Sequence, residues 1–194
     1  MLSHLNKYKI ILASQSPRRQ ELLRGLNIPF EVQVIDVDES YPNQLVGVDI
    51  PMYLAEKKAK AFVNSLEDNT LLITADTIVW HEGQVFGKPI NKLDATRMLT
   101  ALSGKTHQVI TGVCICTLKK RKTFHVISEV RFAHITPNEI EYYLQNYQPY
   151  DKAGSYGVQE WIGYIGVEYI EGSYFNVMGL PIQRLYTELK RWKK

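Results

Sequence analysis

The stretch Lys9-Ile10-Ile11-Leu12-Ala13-Ser14-Gln15-Ser16-Pro17-Arg18-Arg19-Gln20-Glu21-Leu22-Leu23-Arg24-Gly25 passes from an apolar run straight into a helical pattern. Residues 9–13 read as a short strand. Ser16 is an N-cap with Pro17 at the first helical position, and Gly25 supplies the stop. Leu22, Leu23 and Leu26 share one helical face. A strand that feeds directly into a helix is the repeating unit of an α/β protein.

The pattern continues outward from this unit. Residues 31–37 resume as strand, with Val32 and Val34 alternating against polar neighbours. A helix is expected over 51–66, with Leu54, Ala55, Ala59, Phe62 and Val63 on its stripe and Lys57 and Lys60 off it. Residues 70–80 look like a buried strand, followed by a His81-Glu82-Gly83 turn and a short partner around Val85. Residues 93–102 are helical and Gly104 ends them. Residues 106–118 and 123–132 form two long strands around the basic turn Lys119-Lys120-Arg121-Lys122, read as a solvated hairpin tip. Thr136-Pro137-Asn138-Glu139 is a capping box that opens a helix. The glycine-rich segment 154–166 opens no helix and leads to a strand at 167–170. From Pro181 a last helix places Ile182, Leu185, Tyr186, Leu189 and Trp192 on one face. Hairpins among crossover units give an α/β fold with a mixed central sheet and flanking helices. One domain across residues 1–194 is expected.

Composition bounds the class. Apolar residues make up 45% and charged residues 22%, ordinary for a globular chain, and a net charge of +3 is too small to make nucleic acid the main partner. No window approaches the roughly 20 apolar residues of a membrane span, and residues 1–8 lack an apolar signal core, so a cytoplasmic protein with no membrane partner is expected. Cys114 and Cys116 alternate on one strand face. With no further Cys and no nearby His they make no zinc set, and they suit a reducing compartment.

Two features invite chemistry. At Ser14-Gln15-Ser16-Pro17-Arg18-Arg19, free N–H groups, the helix dipole and two arginines together suit an oxyanion, although a capped helix with surface arginines has the same residues. Asp76, inside Leu71-Leu72-Ile73-Thr74-Ala75-Asp76-Thr77-Ile78-Val79, is costly to bury unless it is paired, metal-bound or at the open end of its strand. Local hydrogen bonds to backbone are the plainer alternative. Asp38-Glu39 follows a strand end, while Lys57 and Lys88 could face phosphate or simply solvent. The five histidines lack zinc spacing and a neighbouring nucleophile. Ser103-Gly104-Lys105-Thr106 ends like a P-loop, yet its first glycine would fall at Leu99 and it leads from helix to strand.

Taken together, residues 14–23 resemble the opening signature of the Maf family of nucleotide pyrophosphatases. Glu56-Lys57, Ala75-Asp76-Thr77-Ile78-Val79, Gly87-Lys88-Pro89, Ser103-Gly104-Lys105-Thr106-His107, Lys152-Ala153-Gly154-Ser155-Tyr156-Gly157-Val158-Gln159 and Gly172-Ser173-Tyr174 through Gly179-Leu180-Pro181 match in order and spacing, across essentially the whole chain. The resemblance implies a Maf/ITPase-like fold with two lobes around a nucleotide cleft. It implies hydrolysis of a nucleoside triphosphate between the α and β phosphates with Mg²⁺ or Mn²⁺. Asp76 would be general base and metal contact, and Glu39 the second metal carboxylate. Ser14, Arg18, Arg19, Lys57 and Lys88 would hold the triphosphate. Arg18, Thr77 and Gln159 are similar to the dTTP/UTP branch, where a branch favouring 7-methyl-GTP differs. An amide such as Gln159 can donate to and accept from a base edge. A homodimer is also implied. The family pattern continues with glycine after Gln159, whereas Glu160-Trp161 follow here.

Two other classes of function compete with this reading. A non-catalytic, nucleotide-bound regulator of cell division has no use for a base at Asp76. RNA binding through Lys190-Arg191-Trp192-Lys193-Lys194 would need more than one exposed Trp as a stacking surface.

Overall fold

The computed structural model describes residues 2–192; Met1, Lys193 and Lys194, part of the basic C-terminal run, lie outside the described residues. In chain order the elements are β1 (Lys9–Leu12), α1 (Pro17–Arg24), β2 (Glu31–Val32), α2 (Asp49–Ala61), β3 (Thr70–His81), β4 (Gln84–Phe86), α3 (Lys92–Leu102), β5 (Thr106–Cys116), β6 (Arg121–Phe132), α4 (Pro137–Tyr147), α5 (Trp161–Gly166), β7 (Val167–Glu171), α6 (Tyr174–Val177) and α7 (Ile182–Lys190). The strands lie in the order β2-β1-β3-β5-β6-β7, with β4 paired to β3. β1 is parallel to β2 and β3, while β3–β4 and β6–β7 are antiparallel, so the sheet is mixed.

The chain forms two compact units. One comprises the residues up to Asp76, Thr111–Val126 and the residues from Gly179 onward; the other comprises Thr77–Ile110 and Ile127–Met178. In the first, strand alternation sorts the core by face. Ile10, Leu12, Leu71 and Ile73 pack with Leu23 and with Leu185, Leu189 and Trp192 from the C-terminal end. Ile11 and Leu72 point the other way, onto Ala55, Ala59 and Phe62 and beside Cys114 and Cys116. Both faces are covered, which explains the near-continuous apolar runs. The second unit packs Val79, Phe86, Leu99, Leu102, Phe132, Tyr143, Leu144 and Ile162 into its own core.

Five expectations need correction. The strand expected over 31–37 ends at Val32, and Val34 and Ile35 are exposed. Its partner β1 pairs Leu12 with Val32, the Leu12 carbonyl accepts the Gln33 amide (3.2 Å), and the chain of β1 then leads into α1, so the ladder goes no further. The helix expected over 51–66 runs Asp49–Ala61, followed by a 3-10 turn at Val63–Ser65, and Val63 is exposed. Ser65 Oγ donates to the Phe62 carbonyl (2.9 Å), a side-chain bond that competes with helix continuation. The hairpin turn is 117–120, with Arg121 and Lys122 already on β6. A helix, α5, does form within the glycine-rich segment: a Cβ at Gly163 would lie 1.9 Å from the Val158 carbonyl oxygen, so glycine there serves close packing. Finally, Trp192 is buried, with Lys120 Nζ 4.7 Å from its ring centre, so it offers no stacking surface.

Candidate active site

The β1–α1 junction forms as its residue types require. Ser16 caps α1 by accepting from the Arg19 amide (3.4 Å), and Pro17 occupies the first turn. Ser14 is buried; its Oγ accepts from the Ser16 amide (3.2 Å) and its carbonyl from Gln20 Nε2 (3.2 Å). The half-buried Arg19 donates from Nε to the Gly179 carbonyl (2.7 Å) and from Nη1 to the Ala75 carbonyl (2.9 Å). Its guanidinium therefore ties α1 to the residue before Asp76. Burial lowers its pKa, with Asp76 acting in the opposite sense.

α2 brings the next charges. Thr74 Oγ1 on β3 donates to the Ala55 carbonyl (2.6 Å), and Gly112 on β5 leaves room for the start of the helix, since a Cβ there would meet the Pro51 oxygen at 2.3 Å. With α2 so seated, Lys58 Nζ lies 2.6 Å from Asp76 Oδ1 and 2.8 Å from Glu39 Oε1. The Lys58 and Asp76 side chains are only 17% and 10% exposed, against 42% for Glu39, so one ammonium bridges a nearly buried and a more open carboxylate. Asp76 is thus paired, as its setting in an apolar strand demanded.

Lys58 is the residue that sequence reasoning missed. The signal was present: Lys58 follows Leu54 by four positions and Ala55 by three, which places a cation beside the buried stripe. Lys57 points elsewhere, to Asp38 Oδ2 (3.1 Å), the Ser40 carbonyl (2.8 Å) and Ser40 Oγ (3.2 Å). Asp38 also accepts from the Ser40 hydroxyl and amide, and with Lys57 these hold its carboxyl down at about 2. Lys57 therefore braces the loop that carries Glu39. Among the described residues, no cluster of three His, Cys, Asp or Glu suits a metal.

Ser14, Arg18, Arg19, Glu39, Lys57 and Asp76 all belong to the first unit, and Thr77, Lys88 and Gln159 to the second. Thr77 is half-buried on β3, Lys88 is exposed after β4, and Gln159 is half-buried before α5. The Gln159 Oε1 atom is buried with no hydrogen-bond partner among the described residues. Around it, Glu160 accepts from Tyr143 Oη and pairs with Lys152 Nζ (3.0 Å), and Tyr143 Oη accepts from the Gly157 amide (3.0 Å). Burial, then the Glu160 bond, push the Tyr143 phenol upward. Nearby, His107 Nε2 and Tyr156 Oη are 2.7 Å apart, in an edge-to-face cluster with Phe132.

The α/β fold with a mixed sheet is shared with the Staphylococcus aureus Ham1 protein. That structure superposes with a TM-score of 0.56 at 14% identity, covering 95% of this chain and 100% of the other, so the two share the fold. Residues 9–192 match the family described as Maf-like protein, and the chain belongs to the Maf family. Among its relatives, a Parabacteroides distasonis protein named dTTP/UTP pyrophosphatase is 60% identical over 193 residues, 99% of this chain and 100% of that one. A Bacteroides fragilis protein of the same name is 59% identical over 192 residues, 98% of this chain and 100% of that one.

Proposed function

We propose that this chain hydrolyses dTTP and UTP to the nucleoside monophosphate and pyrophosphate, a house-cleaning activity on canonical or modified pyrimidine nucleotides. The observation that carries the reading is the convergence of Asp76 and Glu39 on a single cation, at 2.6 and 2.8 Å from Lys58 Nζ. The names of the full-length relatives support the same substrates.

Two carboxylates aimed at one point fit Mg²⁺ or Mn²⁺, hard ions that take a few protein oxygens and complete their shell with phosphates and water. Asp76 and Glu39 would hold the ion, which when bound supplies neutralisation of phosphate charge and a more acidic water. The chain's own groups do the rest. Water adds across the α–β phosphoanhydride: its hydroxyl goes to one phosphorus, while the bridging oxygen leaves on the other. Asp76 accepts the proton as the water attacks. Ser14 and Arg18 at the start of α1 are assigned to the phosphates, with Arg19 and Lys57 holding the backbone and loop around the carboxylates as well. Lys58 joins these cations, and Lys88 of the second unit has the same assignment. Such hydrolysis depends on charge placement more than on covalent chemistry, and removal of one well-placed donor costs on the order of 10²–10³ in turnover.

Gln159 is assigned to the base, with Thr77 beside it in role. A buried amide oxygen without a partner suits the imide N–H that thymine and uracil both present. Cytosine offers an acceptor at that position, which leaves two acceptors face to face. A homodimer and a cytoplasmic setting complete the proposal. The exposed Tyr164 and Tyr169 give a second copy an apolar surface, and the two buried free thiols suit a reducing compartment. Among the described residues no helix is long and apolar enough to cross a membrane.

The test is Asp76→Asn, which keeps shape and removes the base. Turnover of dTTP should fall by about 10³-fold or more while nucleotide binding, read by calorimetry, survives. Undiminished turnover in the folded variant would overturn the assignment.

A further inference from the structure

Residues 157–160 form a tight turn, closed by the Glu160 amide donating to the Gly157 carbonyl (2.9 Å), with Val158 and Gln159 at its two central positions. Both ends of this turn are fastened to one atom. The Gly157 amide donates to Tyr143 Oη (3.0 Å), and Tyr143 Oη donates to the Glu160 carboxylate. The carboxylate lies directly over Gly157, since a Cβ there would be 2.7 Å from the Glu160 carboxyl carbon. Its other oxygen faces Lys152 Nζ at 3.0 Å, and Lys152 is itself buried and also bonded to Asp151 (2.7 Å). Glu160 finally starts α5, its carbonyl accepting from the Gly163 amide (2.8 Å). Its side chain thus links α4, the segment 151–152 and α5 around Gln159, whose amide oxygen is buried with no hydrogen-bond partner among the described residues.

We propose that Glu160, acting through Tyr143 and Lys152, is a positioning residue for Gln159: it locks the turn that presents the amide and thereby sets which nucleobase the chain accepts. The inference rests on the base-reading role given to Gln159 above. It also gives a structural purpose to the Glu160-Trp161 departure from the family pattern. Glycine at 160 would leave Lys152 without this partner and Tyr143 Oη without its acceptor. An amide held within a few tenths of an ångström discriminates donor from acceptor on a base, whereas an amide free to rotate accepts either.

The experiment compares Gln159→Ala, Glu160→Gln, Tyr143→Phe and the double variant Gln159→Ala/Glu160→Gln. Readouts are kcat and KM on UTP and CTP, and hydrogen exchange of the Gly157 amide. Glu160→Gln and Tyr143→Phe should each lower the UTP/CTP ratio of kcat/KM by about tenfold, mainly through KM for UTP. The Gly157 amide should exchange faster in both. In the Gln159→Ala background, Glu160→Gln should lower the ratio no further. Tyr143→Phe removes a single oxygen and keeps the question answerable if Glu160→Gln does not fold. An unchanged ratio in both variants, with Gln159→Ala lowering it, would overturn the positioning role while leaving the base-reading role intact. No effect of Gln159→Ala would overturn both.

Discussion

Lys58 carries its charge at the end of a long apolar stem, so it can sit beside a buried stripe and still place an ammonium on two carboxylates. Lys58→Met keeps the stem and removes the charge, leaving Asp76 enclosed without its partner. We expect a loss of about 1–3 kcal/mol in a urea titration, moderated by the partial exposure of Glu39. Added Mn²⁺ should raise the Tm of this variant more than that of the parent, because the carboxylates have lost their resident cation. Equal shifts would contradict that account. His107 offers a pH test. Burial lowers its pKa from 6.5 to about 3. The imidazole is then neutral in the folded chain and protonated in the unfolded one between those values, so stability is full above about pH 6.5 and falls as pH drops toward 3. Between pH 6.5 and 5 the loss should approach about 2 kcal/mol, and His107→Gln should flatten it. A parent protein as stable at pH 5 as at pH 7 would contradict this.

Elements are placed by contacts that the linear pattern shows only indirectly. α2 delivers Lys58 because Thr74 anchors it and because Gly112 lets its first turn approach β5. Gly112→Ala puts a methyl 2.3 Å from the Pro51 oxygen. It should cost about 1–3 kcal/mol and reduce turnover as Lys58 shifts; a urea midpoint within error of the parent would refute it. Much at this scale was legible in the sequence. The Ser16-Pro17 start of α1 and the capping box at Thr136 carry their own hydrogen-bonding logic, and both form. The strand expected beyond Val32 fails for a different reason: alternation reports which faces are apolar, and says nothing of where a partner strand stops. The helix at Trp161–Gly166 was hidden because glycine reads as a breaker, while here it allows contact with Val158. Lys58 was overlooked because a lysine at the margin of a buried stripe looks like any solvated lysine until its reach is measured. Glu39 lies in irregular chain, where no periodicity singles out a residue, and family resemblance is what points to it. Asp76 stood out because apolar neighbours make an acid conspicuous.

At the scale of the molecule, each unit has its own core, and three strands, β3, β5 and β6, supply residues to both. The α/β class with a mixed sheet was readable because strand runs, helix stripes and turn residues agree locally across the chain. A division into two parts was expected from the family resemblance alone, since β3 crosses from one unit to the other between Asp76 and Thr77 with no linker composition to announce it. Gln159→Ala gives a test of substrate choice at this scale: preference for UTP over CTP should fall by about 10- to 100-fold with metal dependence unchanged. The most direct measurement is of products. The chain is given canonical and modified triphosphates with Mg²⁺ or Mn²⁺, and with chelator, while pyrophosphate and orthophosphate are assayed separately. Pyrophosphate is expected from dTTP and UTP, little from purine triphosphates, and none with chelator. Orthophosphate as the product, or no turnover of any triphosphate by folded protein, would contradict the proposed function and leave Asp76 a structural partner of Lys58.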